Sequence, residues 1–538
     1  MYKDDKLYVA HSASGPLCIV GNMANRHGLI AGATGTGKTV SLQVLAETFS
    51  QAGVPCFMAD MKGDLSGISQ TGEMTGFIEK RCAEFGIENP PFAGCPTRFF
   101  DVFGEQGHSM RTTISAMGPQ LLSRLMGLNE TQAGVLTIVF KIADDNKLLL
   151  FDTKDLRMVL DFVGRNASSF TLKYGNVSTA SIGAIQRALL AIESEGGDKF
   201  FGEPAFNVLD LIDTVGGRGV MNVLAADKLM LKPKVYSTFL LWLLTSLYEI
   251  LPEVGDLPLP KLVFFFDEAH MLFDGTSKAL TEKIEQVIRL IRSKGVGIYF
   301  VTQSPSDVPP VILGQLGNRI QHALRAYTPQ DQKAVKAAAQ TFRPNAAFKT
   351  EDAILELSTG EALVSFLDEK GAPSIVERAK ILFPLSRIGA ITEGQRLDII
   401  NAAPQHIRFY DNFVDNESAY EVLLEMYNRE EEKKREAEAA EKADKETAAK
   451  KEKPAKNSSA KKTFTRSILG TMIGAVATSF ARSLGTSAAK SIGSKKKTTS
   501  KKSSGKSSSG SVLEKAAKTA TTTATRKITE EILKGILK

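Results

Sequence analysis

The stretch Gly32-Ala33-Thr34-Gly35-Thr36-Gly37-Lys38-Thr39 matches the phosphate-binding pattern G-x-x-x-x-G-K-[ST] at every fixed position. The run His27–Gly32 predicts a strand before it, and the apolar spacing of Lys38–Gln51 predicts an amphipathic helix after it. In such a loop backbone N–H groups turn toward a β-phosphate, Lys38 supplies positive charge to the β- and γ-phosphates, and Thr39 offers its hydroxyl to Mg²⁺. The stretch therefore predicts a site for ATP and Mg²⁺.

The segment after this helix completes a strand–helix–strand unit. Pro55–Asp60 is a second short apolar run, and a glycine-rich turn between a strand and a helix indicates a parallel βαβ unit. Lys261–Phe266 and Val296–Thr302 are almost continuously apolar, which is typical of strands covered on both faces. We predict an α/β fold with a mostly parallel sheet and helices on both faces.

A second candidate motif is Leu262–Glu268, an apolar strand that ends in Asp267 and Glu268. In this arrangement Asp267 would hold Mg²⁺ through its water shell, and Glu268 would polarise the water that attacks the phosphate. An acidic pair after a strand is more often a turn or a helix cap. Because parallel sheets bind ligands at the carboxyl ends of their strands, the phosphate loop favours the functional interpretation here.

Two further polar groups follow predicted strands. Gln303 ends the strand Val296–Thr302, where its amide would contact the γ-phosphate or the attacking water, or only hydrogen-bond a loop. Asp60-Met61-Lys62-Gly63-Asp64 follows Pro55–Asp60 and places two carboxylates and a lysine beside the same crevice, or forms a solvated loop.

The charge of the chain is unevenly distributed. Residues 451–538 contain 20 Lys and Arg and 4 Asp and Glu, whereas residues 1–450 carry a net charge of −9. Within the basic tail, apolar residues at four-residue spacing predict an amphipathic helix: Phe464, Ile468, Met472, Val476 and Phe480. Such a tail attracts the phosphates of nucleic acid without sequence preference, or an anionic membrane or protein partner.

Several classes of protein are excluded by composition. The chain has four cysteines with no C-x-x-C spacing, which argues against a disulfide framework and a structural zinc site. The first residues lack the apolar stretch of a signal peptide, and the longest apolar run, Phe239–Leu251, is too short and too polar to span a bilayer. We predict a cytoplasmic protein.

Composition also divides the 538 residues into parts. We predict the first part of the ATPase core over residues 1–103, a mostly helical insertion over 104–215 and the second part of the core over 216–400. A charged helical linker follows over residues 401–453, and a basic, partly disordered low-complexity tail over 454–538.

The segment Arg289–Arg325, with its Val-Thr-Gln-Ser-Pro and Asn318-Arg319-Ile stretches, resembles the HerA/FtsK superfamily of ring-forming DNA-pumping ATPases. The nearest likeness is to bacterial HerA-helicase-like proteins, over about residues 10–400. The Asp60–Asp64 stretch is similar to the Asp-Pro-Lys-Gly-acid turn of conjugative coupling ATPases. One departure is that HerA has a β-barrel before its phosphate loop, whereas 31 residues precede Gly32 here.

The resemblance implies a RecA-like P-loop NTPase core that hydrolyses ATP within a homo-oligomeric ring and moves DNA through it, and it suggests a hexamer. It also implies an arginine donated by a neighbouring subunit. Arg319 is the first candidate, followed by Arg292 and Arg325, and the predicted catalytic set is Lys38, Glu268, Gln303 and Arg319. Two alternatives stay open: a nucleotide-gated tether that acts through its tail, and a motor that translocates protein.

Overall fold

The structure is a computed structural model that describes residues 1–273 and 278–451. Met1–Arg429 form one compact unit, and residues from Glu430 onward belong to a second. The predicted amphipathic helix at 464–480 and most of the basic tail lie outside the described residues.

The secondary structure alternates between strands and helices through most of the first unit. The strands are β1 (Tyr2–Lys3), β2 (Lys6–Ser12), β3 (Gly15–Ile19), β4 (Gly28–Ala31), β5 (Cys56–Asp60), β6 (Thr97–Asp101), β7 (His108–Ser109), β8 (Thr214–Val215), β9 (Arg218–Gly219), β10 (Met221–Ala225), β11 (Leu262–Phe266), β12 (Val296–Thr302), β13 (Asn318–Gln321), β14 (Glu361–Ser365) and β15 (Glu377–Ile381). The helices are α1 (Lys38–Gln51), α2 (Gly76–Phe85), α3 (Ile114–Leu125), α4 (Glu130–Asp145), α5 (Thr153–Arg165), α6 (Ala167–Tyr174), α7 (Thr179–Ser194), α8 (Gly197–Phe200), α9 (Pro233–Ile250), α10 (Lys278–Ile291), α11 (Pro310–Leu313), α12 (Pro329–Gln340), α13 (Thr350–Glu356), α14 (Glu393–Asn401), α15 (Gln405–Arg408) and α16 (Ala419–Lys451).

One large sheet organises the first unit. Its eight parallel strands run in the order β13-β4-β12-β11-β5-β10-β6-β7. Beyond β13 the sheet continues with β14, β15 and β2 in antiparallel pairing, and both β1 and β3 pair with β2. The predicted α/β fold with a mostly parallel sheet is confirmed.

The sheet is buried on both faces because successive side chains of a strand point to opposite sides. On one face Leu29, Phe57 and Phe264 pack with residues of α3–α7, α9 and α10. On the other face Ile30 and Met58 pack against α1 and the antiparallel strands. Two apolar faces explain why the central strands are continuous apolar runs rather than alternating patterns.

Most predicted elements agree with the observed ones to within a few residues. The helix α1 and the strand β12 have the predicted limits. The next parallel strand along the chain, β13, spans Asn318–Gln321 and begins where Asn318 pairs with Gly28 of β4. Six helices, α3 to α8, lie between Ile114 and Phe200 in the predicted insertion, while the domain limits remain a prediction.

Part of the predicted charged linker is helical. Residues 430–451 form part of α16 and carry ion pairs at four-residue spacing, such as Lys445 Nζ to Glu441 Oε1 at 2.6 Å. A helix apolar and long enough to cross a membrane is not found among residues 1–273 and 278–451. The cytoplasmic location remains a prediction.

Candidate nucleotide-binding site

Four neighbouring parallel strands end together at one edge of the sheet. The register pairs Thr302 of β12 with Ala31 of β4, and Phe266 of β11 with Ala59 of β5. The residues that follow these strands are therefore brought side by side. We call this region the phosphate-binding edge, and it comprises residues 32–39, 60–64, 267–270 and 303.

The loop 32–39 has the backbone that its glycines allow. Gly37 has φ of +111°, a conformation that favours glycine, immediately before α1 begins at Lys38. A Cβ atom on Gly32 would lie 2.5 Å from Cβ of His322, so only glycine fits beside this buried ring. Lys38 Nζ donates to Ala33 O at 3.1 Å, within the loop itself. Burial lowers the pKa of Lys38, and the charges of Glu268 and Asp267 partly offset this effect.

The two carboxylates after β11 lie at the same edge and are both buried. Glu268 has φ of +46° and ψ of +50°, a left-handed conformation that costs a non-glycine residue about 1 kcal/mol. Its backbone N–H donates to Asp267 Oδ1 at 2.9 Å. Burial, together with the nearby charge of Glu268, raises the pKa of Asp267 to about 6. A strained residue at the mouth of a sheet indicates a functional position.

Three side chains surround the carboxylate of Glu268. Lys62 Nζ lies 2.6 Å from Oε1, and Gln303 Nε2 forms a long hydrogen bond to Oε2 at 3.5 Å. His270 Nδ1 also lies 3.5 Å from Oε2. Burial acts to raise the pKa of Glu268, but the hydrogen bond and charge of Lys62, with smaller contributions from Gln303 and His270, outweigh it, and the pKa is lowered.

The turn after β5 is shaped by Asp60. Its carboxylate accepts hydrogen bonds from the backbone N–H groups of Gly63 at 2.8 Å and Leu65 at 3.2 Å. Burial raises the pKa of Asp60 to about 7. Asp60 therefore holds the turn together, and Lys62 is the member of the predicted stretch that reaches the other functional residues.

The predicted arginines occupy different ends of the sheet. Arg319 lies near the start of β13, half-buried, and its guanidinium donates to three backbone carbonyls: Leu316 O at 2.9 Å, Thr341 O at 2.8 Å and Leu313 O at 3.0 Å. Three of the five guanidinium N–H donors are therefore used inside its own subunit, and the catalytic role of Arg319 remains a prediction. Arg292 precedes β12 at the same end and lies 3.8 Å from the Asp256 carboxylate.

Arg325 lies at the phosphate-binding edge instead. It follows the carboxyl end of β13, is exposed, and lines a cavity of about 430 Å³ together with Ala33, Thr34, His270 and Gln303. Arg325 therefore shares a cavity with two residues of the phosphate loop, Ala33 and Thr34.

The donor set at this edge suits Mg²⁺, which prefers oxygen ligands and keeps several waters. Thr39 at the start of α1 offers a hydroxyl, and the buried Asp267 offers a carboxylate. The raised pKa of Asp267 reflects burial and the neighbouring carboxylate Glu268, an electrostatic cost that a divalent cation would relieve.

Sequence reasoning missed two features of the site. The buried His322 lies under the loop, where Nε2 pairs with Ser41 Oγ at 2.7 Å and Nδ1 with Glu361 O at 2.9 Å. The contact of Lys62 with Glu268 joins residues 206 positions apart. Neither forms a motif along the chain, because strand order alone brings these partners together.

Comparison with known proteins agrees with this geometry. Residues 5–497 match the Helicase HerA-like C-terminal family. The chain is 30% identical over 164 residues to the DNA double-strand break repair helicase HerA of Sulfurisphaera tokodaii, covering 30% of this chain and 31% of that protein. It is 30% identical over 123 residues to the probable helicase MJECL08 of Methanocaldococcus jannaschii, covering 22% of each. The chain thus spans less than a third of the length of these relatives.

The matched solved structures have low sequence identity and TM-scores below 0.5. The bacterial conjugative coupling protein TrwB superposes with a TM-score of 0.49 and 13% identity, over 73% of this chain and 92% of that one. VirB4 of Thermoanaerobacter pseudethanolicus has a TM-score of 0.44 and 15% identity, over 70% and 97% of the two chains. With a RecA-like sheet, a complete phosphate loop and a family match across residues 5–497, the chain belongs to the Helicase HerA-like C-terminal family of P-loop ATPases.

Proposed function

We propose that this chain binds Mg·ATP at the phosphate-binding edge and hydrolyses it to move DNA. The observation that carries the proposal is the convergence of Lys38, Asp267, Glu268 and Gln303 beyond the carboxyl ends of three adjacent parallel strands, β4, β11 and β12. Phosphoryl transfer to water needs positioning and charge neutralisation more than covalent chemistry. These residue types supply both.

Each residue has a separate part in the proposed reaction. Lys38 offsets charge on the β- and γ-phosphates, while Thr39 and Asp267 would hold Mg²⁺, which neutralises phosphate charge when bound. Glu268 accepts a hydrogen bond from the attacking water, and Gln303, next to it, orients that water or senses the γ-phosphate. We assign Arg325, rather than Arg319, to the charge that develops on the phosphate.

The proposed substrate is DNA, bound without sequence preference. Support comes from the family and from the matched relatives, whose names describe helicases. The basic residues 451–538 would add attraction to phosphates that weakens with salt, because binding releases counterions. A homo-oligomeric ring, with DNA in its channel, is the assembly that the family resemblance suggests.

The experiment is to measure ATP turnover of the full chain at low salt with and without double-stranded DNA. We expect DNA to raise turnover several-fold, and a variant that ends at residue 451 to retain most of this stimulation. Lys38→Ala is the control, because loss of a charge on the ground-state phosphates should lower both nucleotide binding and turnover. If DNA leaves turnover unchanged, the DNA motor is wrong, and the tether or protein-translocating alternatives become the better explanations.

A further inference from the structure

The contact between Lys62 and Glu268 is unexpected for a carboxylate that must orient water. Lys62 Nζ lies 2.6 Å from Glu268 Oε1, the distance of a charge-assisted hydrogen bond. An ammonium group at this distance occupies a lone pair of the carboxylate and weakens it as a base. Glu268 would therefore be a stronger base once Lys62 has moved away from Oε1.

The two partners differ in their freedom to move. The side chain of Glu268 is 10% exposed, and its backbone is held in the left-handed conformation between the buried Asp267 and Ala269. The side chain of Lys62 is 51% exposed and has four rotatable methylene carbons. The backbone under Lys62 is fixed by Asp60, so only the end of the side chain has to change position.

The positive charge of Lys62 would attract the terminal phosphate of a bound nucleotide as well as Glu268. The hydrogen bond to Glu268 raises the pKa of Lys62 against the opposing effect of burial, with smaller contributions from the charges of Glu268, Asp267 and Asp64, so Lys62 carries a positive charge. The phosphate loop follows β4, and β4 lies in the same run of adjacent parallel strands as β11 and β5, the strands that precede Glu268 and Lys62. A terminal phosphate brings up to about two negative charges and several acceptor oxygens, against one charge on Glu268.

We propose that Lys62 is a positioning residue. Its ammonium group pairs with Glu268 until ATP binds, and then moves to contact the γ-phosphate. This movement leaves Glu268 free to accept a hydrogen bond from the attacking water. ADP has no γ-phosphate, so Lys62 returns to Glu268 after hydrolysis. The inference rests on the proposed function, since it assumes that Mg·ATP occupies the phosphate-binding edge.

The test compares the affinities of a non-hydrolysable ATP analogue and of ADP, both with Mg²⁺. Lys62→Met should weaken analogue binding about tenfold, the scale of a lost charged hydrogen bond, and leave ADP binding unchanged. Lys62→Arg keeps the charge and should retain most of the preference. The matched control is Lys228→Met, because Lys228 is 50% exposed and also pairs with a glutamate, Glu105, outside the site. It should change neither affinity.

A double variant tests whether Lys62 acts through Glu268. Glu268→Gln removes the competing charge, so the analogue should bind several-fold more tightly while ADP binding stays the same. In Lys62→Met/Glu268→Gln this gain should disappear. A gain that persists in the double variant, or equal effects of Lys62→Met on analogue and ADP, would overturn the inference.

These outcomes are separable from failure of the proposed function. If the unmodified chain binds neither nucleotide, or Lys38→Ala binds as well as the parent, the nucleotide site itself is wrong. If the parent prefers the analogue over ADP and Lys62→Met keeps that preference, only the role of Lys62 is wrong. Thermal unfolding identifies a Lys62→Met variant that does not fold. In that case Lys62→Gln, which also lacks the charge, replaces it in every comparison.

Discussion

Two buried glutamates in the first unit have opposite kinds of partner. Glu47 on α1 is 2% exposed and accepts hydrogen bonds from the backbone N–H groups of Leu385 at 2.7 Å and Ser386 at 2.9 Å. Glu268 at the phosphate-binding edge is contacted by the side chains of Lys62, Gln303 and His270. One carboxylate is held by the chain itself, and the other by groups that can move away.

Helix α1 and its neighbours therefore contain two kinds of contact, one that stabilises the fold and one that serves the proposed reaction. Helix α1 begins with Lys38 at the phosphate loop, and further along it Gln43 and Glu47 bind Ser386 and the Arg387 carbonyl. We call the contacts of Gln43 and Glu47 with residues 385–387 the α1 anchor. Backbone donors do not exchange partners while the fold is intact, so the anchor fixes the helix, whereas the phosphate-binding edge is able to change its contacts.

The largest expected effect is at Glu268. Glu268→Gln should lower ATP turnover by about two to three orders of magnitude, since it removes the charge that draws a proton from water. ADP binding and the free energy of unfolding should be unchanged, and the non-hydrolysable ATP analogue should bind several-fold more tightly, as the role proposed for Lys62 requires. The measurement is steady-state hydrolysis beside Glu105→Gln, which removes a carboxylate from an exposed lysine pair and should hydrolyse ATP like the parent. Parental turnover in Glu268→Gln would remove Glu268 from the catalytic assignment.

A change in the α1 anchor should lower the stability of the fold and leave turnover nearly unchanged. Glu47→Ala leaves the N–H groups of Leu385 and Ser386 without their acceptor, and it should lower the free energy of unfolding by about 3 kcal/mol. Turnover per folded molecule should stay within about twofold of the parent. Denaturant unfolding and hydrolysis, measured on the same preparations, check both. A Glu47→Ala variant that keeps its stability and loses turnover would contradict the division between the two regions.

Two arginines extend the same comparison. Arg319→Met removes three hydrogen bonds to backbone carbonyls and should lower the free energy of unfolding by about 2 kcal/mol, with little effect on turnover. Arg325→Met, at an exposed position lining the site's cavity, should lower turnover and leave stability unchanged. The two variants are compared by unfolding and hydrolysis. If Arg319→Met loses turnover while remaining as stable as the parent, the original assignment of Arg319 is restored.

Acid should lower the stability of the fold by protonating two buried histidines, and this is the smallest effect that we predict. Burial lowers the pKa of both His27 and His322 to about 4, and both rings hydrogen-bond backbone groups. Below the unfolded value of about 6.5 the unfolded chain binds protons that the folded chain excludes. Their contribution to stability is therefore complete above pH 6.5 and is lost as the pH falls toward 4.

At pH 5.5 this loss should be about 1 kcal/mol for each histidine. Unfolding at pH 7.5 and 5.5 should show a smaller acid-induced loss in His27→Gln than in the parent. The control is His406→Gln, at an exposed position, which should behave like the parent. Equal acid sensitivity of His27→Gln and the parent would show that His27 is not excluded from protonation by the fold.

The site residues that could be predicted from the sequence lie within short continuous segments of the chain. The phosphate loop and α1 occupy consecutive residues, and Asp267 and Glu268 directly follow a recognisable apolar strand. The contacts of Arg319 were not predictable in this way. Its position after a Thr-Gln strand suggested a catalytic cation, but its three acceptors lie on residues 313, 316 and 341, and their approach depends on packing at the other end of the sheet.

The sequence by itself determined the fold class, the nucleotide chemistry and the family, because glycines, apolar runs and acidic strand ends act through neighbouring residues. Tertiary structure alone decided which polar groups share an edge. Hydrogen bonding between strands distant in the chain places β5 beside β11 and β12 beside β4, and so brings Lys62 to Glu268. That pairing depends on strand order and register, which are set by packing of the whole sheet rather than by any local pattern.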